Sequence, residues 1–96
     1  MIVVIFRATV KQLDDEYLQQ AGKLRQLALD HYGCLEFTAL CEGDKEIALS
    51  YWPDEDSVIR WKNDPLHKAA QQQGKQNWYQ DYQVQVASIN REYTSS

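Results

Sequence analysis

Basic residues are few in this chain and never gather. Lys and Arg number 10 against 14 Asp and Glu, for a formal net charge of −4, and no basic run exceeds a pair. Nucleic acids and anionic membrane surfaces both demand a positive footprint, so neither is an expected partner. Long apolar runs are missing too: nothing approaches the ~20 residues that span a bilayer. The opening MIVVIF is apolar, but no basic region precedes it and no small-residue cleavage site follows, so it reads as a strand rather than a signal peptide. Cysteine is scarce. Cys34 and Cys41 fall in one expected strand, an odd number of positions apart, so they point to opposite faces. They should sit on the order of 23 Å apart at 3.3 Å per residue, beyond disulfide reach. Two such thiols fit a reducing cytoplasm. They are too distant to chelate one metal, and no His/Cys/Asp cluster has ligand spacing, so no metal site is expected.

What remains is ordinary in amount and uneven in placement. Ninety-six residues make one domain, 1–96, which buries roughly two-thirds of its unfolded surface. The hydrophobic content of 44% and charged content of 25% are those of a soluble globular protein. All three tryptophans, both prolines and one of the two histidines, however, lie between Glu46 and Tyr79. That stretch reads as a strand over Glu46–Trp52, a Pro-Asp turn, a short helix carrying Trp61, a break at Asp64-Pro65 and a second helix carrying His67. It looks like one wall of a pocket.

In order, Ile2–Val10 is a β-branched run, apolar on both faces until Arg7, and is expected at the centre of a sheet. Asp14, Asp15 and Glu16 place acids at a helix start. Leu13, Tyr17, Leu18, Ala21, Leu24, Leu27 and Ala28 then recur at helical spacing, and Gly33 ends the helix, with His31 a helix-end cation. Cys34–Cys41 alternates as a strand, and Glu42–Lys45 is a compact hairpin loop. The return strand puts Ile47, Leu49 and Tyr51 on one face and Ala48, Ser50 and Trp52 on the other. Pro53 stops it, Asp54 caps the Trp61 helix, and Asp64-Pro65 opens the next. Trp78 and Tyr79 lead into a last strand, Tyr82–Asn90, before a tail, Thr94–Ser96, expected to be loose.

The order β-α-β-β-α-β predicts an α+β fold, the ferredoxin-like split arrangement with helices on one face of an antiparallel sheet. Its second face should be wet, yet apolar residues occupy both faces of the first strand. Leaving several of them in water would forgo ~1.5–3 kcal/mol each, against a whole-domain stability of ~5–15 kcal/mol. A homodimer, sheet against sheet, resolves the conflict.

Ser50-Tyr51-Trp52, Trp61, Pro65-Leu66-His67, Ala70, Gly74, Trp78-Tyr79, Tyr82 and the ending Arg91-Glu92-Tyr93 resemble the antibiotic biosynthesis monooxygenase family, part of the dimeric α/β-barrel superfamily. The likeness runs nearly end to end. It implies a cofactor-free oxygenase that converts electron-rich phenols or quinols, such as anthrones, to quinones, by deprotonating the substrate so that its anion gives an electron to dioxygen. In the anthrone-oxidising pattern the helix Trp has an Asn four residues before it and a Tyr six residues after. Here Trp61 matches, Ser57 takes the Asn place and His67 the Tyr place, where a His can still accept a proton. Haem-degrading relatives use a first-strand Asn, this Trp and an axial His ten residues on. The corresponding residues are Phe6 or Arg7, Trp61 and Gln71, and Gln71 is a poor ligand for haem iron, so haem degradation is disfavoured.

Each candidate has a plainer role beside the functional one. Trp61 serves as pocket wall or as core. His67, in the first turn of its helix, is held neutral as a base or is a surface residue. Arg7 belongs to a pocket or a dimer ion pair, or is a strand-end surface group. Tyr51, Trp52 and Tyr82 stack on an aromatic substrate or fill the dimer interface. Gly74 admits a ligand or relieves packing. The expectation is therefore a cofactor-free monooxygenase, cytoplasmic and homodimeric, acting on a small aromatic substrate and dioxygen. Its catalytic residues would be His67 and Trp61, with substrate-binding roles for Arg7, Tyr51, Trp52, Ser57, Gln71 and Tyr82. A non-catalytic dimeric small-molecule-binding or stress-related protein is the alternative.

Overall fold

The computed structural model describes residues 1–95. Its elements are β1 (Ile2–Val10), α1 (Asp15–His31), β2 (Glu36–Glu42), β3 (Lys45–Trp52), α2 (Glu55–Lys62), α3 (Pro65–Gln73), a π-helical turn at Gly74–Trp78, and β4 (Tyr79–Ser88). The four strands form one antiparallel sheet in the order β2-β3-β1-β4. This is the expected ferredoxin-like α+β fold, with the β-branched β1 at the centre, bonded on both sides. No helix among the described residues is long and apolar enough to cross a membrane.

Local chemistry sets the boundaries. The Asp14 side chain accepts from the Tyr17 N–H at 2.8 Å and caps α1. Gly33, at φ 78°, leaves that helix through the left-handed region, and the Cys34 N–H returns to the Ala28 carbonyl at 3.0 Å. Gly43, at φ 60°, takes the hairpin position that requires positive φ. Asp54 caps α2 through Ser57, and Asp64 caps α3 ahead of Pro65. The Tyr32 hydroxyl, donating to Asp64 at 2.7 Å, ties the end of α1 to the start of α3.

Three expectations need correction. Cys34 lies before β2, not in it: its chain is still closing α1, and its thiol donates to the Glu36 carbonyl. Leu13 precedes α1 and Leu18, 63% exposed, faces solvent, one position round from the buried Tyr17. The last strand begins at Tyr79, three residues earlier than expected, and ends at Ser88, because the π-helical turn brings the chain onto β1 sooner. Of the expected loose tail, Ser96 lies outside the described residues.

The core lies between the sheet and its helices. Val4, Ala28, Cys34, Trp52, Val58 and Trp61 make one cluster, and Tyr17, Ala70 and Trp78 a second. The opposite sheet face carries Val3, Ile5, Ile47, Leu49 and Tyr51 in register, with Leu40 71% exposed at one side.

Candidate active site

Between the two core clusters the sheet and helices fail to meet, and a cavity of about 240 Å³ remains. The cause is the size of the facing residues. Ala39, Ala48 and Phe6 sit side by side across β2, β3 and β1, with Ser50 and Val4 one row along, while α1 and α3 offer Ala21 and Ala70. Leu or Ile at these alanines would fill the space, and as it stands the room is that of a small ligand.

Trp61 and His67 share one wall. The Trp61 Nε1–H donates to the Leu24 carbonyl at 3.3 Å, which fixes the ring between α1 and α2. The ring also packs on Trp52 and edge-on to Phe37, at centroid distances of 5.1 and 6.1 Å. His67, in the first turn of α3, meets Trp61 edge-on at 4.4 Å. Burial disfavours its imidazolium and holds its pKa below the usual histidine value. Asp64 opposes that shift and Lys62 adds to it. The Nδ1 atom is buried without a hydrogen-bond partner among the described residues. The ring is therefore a neutral imidazole facing an apolar chamber, a group that can take a proton.

A second polar group was not anticipated. Glu46 is buried on β3 and accepts hydrogen bonds from both Tyr17 and Tyr79, the latter at 3.2 Å. Burial and the Glu46 carboxylate push the Tyr17 phenol above its usual range. Burial, then Tyr17 and Glu46, do the same to Tyr79. Both phenols stay protonated and serve as donors. The signal was present in the alternation of β3, since Glu46 shares a face with Ala48, Ser50 and Trp52.

The cavity brings together four of the sequence-derived candidates, Trp61, His67, Gln71 and Tyr82. It leaves the others outside. Arg7 and Tyr51 lie on the opposite sheet face, where Arg7 is exposed and donates to Gln83 and Gln85. Trp52 is wholly buried beneath Trp61, its Nε1–H donating to the Ser50 hydroxyl at 2.8 Å. Ser57 is turned inward on its own helix start, donating to Asp54 and accepting from Arg60. Gly74 has no room for a ligand beside it: a Cβ there would meet the Tyr79 ring at 2.9 Å.

Comparison with known proteins adds names to this geometry. The uncharacterized protein YqjZ of Bacillus subtilis is 33% identical over 90 residues, covering 93% of this chain and 79% of its own. The jasmonate monooxygenase ABM of Pyricularia oryzae is 29% identical across 100% of this chain, which spans only 46% of that longer protein. Among solved structures, SnoaB, a cofactor-independent oxygenase from Streptomyces nogalater, superposes with a TM-score of 0.80 at 14% identity, over 98% of this chain and 97% of that one. A conserved protein from Methanosarcina mazei gives 0.77 at 18% identity, over 90% and 89%. At such identities the structural likenesses speak for the fold alone. The sequence profile of the antibiotic biosynthesis monooxygenases matches residues 1–73, more than half of the chain and including both Trp61 and His67, and the chain belongs to that family.

Proposed function

We propose that this protein is a cofactor-independent monooxygenase that oxidises a phenolic or quinol-like, anthrone-type small molecule in the chamber beneath Trp61. One observation carries the reading. His67 stands neutral in an apolar cavity, against a tryptophan that fixes its ring, where a substrate proton is the natural thing for it to receive. The substrate's hydroxyl or benzylic proton passes to an imidazole nitrogen. The anion gives an electron to dioxygen, the two radicals recombine to a peroxide anion, the imidazolium returns its proton to that anion, and the resulting hydroperoxide loses water. A methylene thus becomes a carbonyl, with one atom of O₂ in the product and the other in water. The dry, aromatic walls raise the energy of the anion relative to water and exclude side reactions. Trp61 forms the stacking wall, and Gln71 and Tyr82 shape the remaining surface.

The protein would act as a single domain in a homodimer, with the apolar outer sheet face of one copy covering that of the other. Its thiols accord with a cytoplasmic setting. The test is His67→Ala assayed by oxygen uptake with a panel of anthrones and hydroquinones. A positioned base supplies roughly 10²–10⁴-fold, so kcat should fall at least about tenfold in protein that circular dichroism shows to be folded. His67→Tyr should recover part of the loss. An alanine variant at wild-type rate removes His67 from the mechanism. Saturable binding with no oxygen uptake by any variant favours the rival reading, a non-catalytic dimeric binding or stress-related protein.

A further inference from the structure

A buried carboxylate is usually met by a cation or kept out of the interior. Glu46 is only 6% exposed, and its hydrogen bonds among the described residues come from two phenols. A carboxylate offers about four lone-pair sites, so these two bonds leave acceptor capacity on a group that lines the cavity. Its surroundings are unsatisfied as well. Trp78, edge-on to Tyr17 at 5.2 Å, has a buried Nε1–H with no partner, and Gln20, one turn along α1 from Tyr17, has a buried Oε1 with none. Both residues line the same chamber. Around the Tyr17 that donates to Glu46, the chamber lining thus holds one unpartnered donor and one unpartnered acceptor besides the spare capacity of Glu46 itself.

This end is remote from His67. Trp61 sits by Phe37 and Trp52, with His67 edge-on to it at 4.4 Å, and Phe37 is paired with Ser50. Glu46 lies four residues up β3 from Ser50, roughly 13 Å at 3.3 Å per residue. Between the two ends the sheet presents Ala48, Phe6 and Val84 in one row. The chamber is thus apolar in the middle and polar at both ends.

We infer that Glu46, held by Tyr17 and Tyr79, is a second anchor of the cavity, which accepts a hydrogen bond from a hydroxyl at the end of the ligand remote from the group that His67 serves. The ligands it selects are elongated, flat and largely apolar, with a hydroxyl donor at each end. A ligand ending there in a carboxylate is rejected, because it would set two anions together in a dry site. The inference rests on the cavity being the substrate site, and it specifies which substrates that site takes. A purely structural staple between α1, β3 and β4 would matter to stability and leave ligand choice untouched.

The experiment is anaerobic fluorescence titration, so that no turnover intervenes. The probes are 2,6-dihydroxyanthracene, 2-hydroxyanthracene and 6-hydroxyanthracene-2-carboxylic acid, which differ only at one end. Wild-type protein should bind the diol about tenfold tighter than the mono-hydroxyl compound, the value of one hydrogen bond to a charged acceptor, and the acid weakest of the three. In Glu46→Gln the diol's advantage should shrink severalfold and the acid should gain at least about tenfold. Should Glu46→Gln fail to fold, as judged by circular dichroism, the wild-type series and Tyr79→Phe decide in its place, the latter lowering diol affinity more than mono-hydroxyl affinity. Equal binding of diol and mono-hydroxyl compound by the wild type overturns the inference, as does a selectivity unchanged in a folded Glu46→Gln. Because no oxygen is consumed, selective binding by a protein without oxygenase activity would keep this inference and sink the oxygenase reading. An active oxygenase indifferent to the far end would do the reverse.

Discussion

His67 and the phenols of Tyr17 and Tyr79 resist charging from opposite sides of neutral pH, and that gives the fold a bounded range of stability. Burial holds His67 below 6.5, so as pH falls through 6.5 the unfolded chain takes up its proton first. The contribution of the neutral ring is complete above 6.5 and drains away below it, until the folded imidazole also protonates. The two phenols are held above 10.0, so as pH rises past 10.0 the unfolded chain loses their protons first, and stability falls again. The Cys34 thiol, held above 9.0 mainly by burial, starts the same loss earlier, so thermal melts across pH should show a plateau between about 6.5 and 9. In His67→Phe the acid limb should begin at lower pH; an acid limb identical to wild type would mean that His67 titrates normally. At this scale the sequence was partly legible. The two short helices read from the sequence bring Trp61, His67 and Gln71 to one cavity. Arg7 drew attention as a charge in an apolar strand, yet by alternation it belongs with Val3 and Ile5 on the outer face. Glu46 escaped notice because a charged residue beside a hairpin turn is unremarkable until its neighbours are known to face inward.

The elements that were legible are those whose ends are decided locally: β1 by its β-branched run, α1 by Asp14 and Gly33, the hairpin by Gly43, and the two short helices by Asp54 and Asp64-Pro65. The π-helical turn at Gly74–Trp78 was not, because its extra residue answers to packing rather than propensity. It carries Trp78 inward and delivers Tyr79 to Glu46, and only a residue without a side chain fits against that tyrosine ring. The ring has little freedom to yield, being packed on Phe6 at 5.3 Å and hydrogen-bonded at its tip. Gly74→Ala should consequently destabilise by about 1–3 kcal/mol, as overpacking does, despite the better helix propensity of alanine. Gly22 makes the internal control. It lies in mid-α1 with nothing within 4 Å of an added Cβ, and Gly22→Ala should stabilise by about 0.4–1 kcal/mol. Urea titration of both variants checks the pair, and equal effects would show that the turn tolerates a side chain.

At the scale of the molecule, the sheet's two faces have different work. The inner face is covered by helices except where small residues leave the chamber. The outer face sets out Leu40, Ile47 and Arg7 in one row, then Leu49 and Ile5, then Tyr51 and Val3. Arg7 and the glutamines of β4 border this apolar field. Such a surface on a domain this small is best covered by a second copy, and the two-fold arrangement lets one patch serve both partners. Sedimentation at micromolar concentration should give about twice 11.2 kDa. Leu49→Asp, at the centre of the field, should shift the population to monomer, whereas a wild-type chain that sediments as a stable monomer would overturn the proposed assembly. The two-sided apolar sheet was legible in the sequence, because apolar residues run along both faces of its central strand.

On the proposed function, this chamber lets a substrate anion meet dioxygen with no help beyond the chain's own residues. Its most direct measurement is turnover of an anthrone under ¹⁸O₂, in buffer stripped of metal and supplied with chelator, with oxygen uptake and product mass followed together. One O₂ should be consumed per substrate and one labelled atom should appear in the product carbonyl, at a rate that chelator does not change. Binding without oxygen uptake, uptake that chelator abolishes, or a carbonyl oxygen drawn from water would each contradict the proposed function.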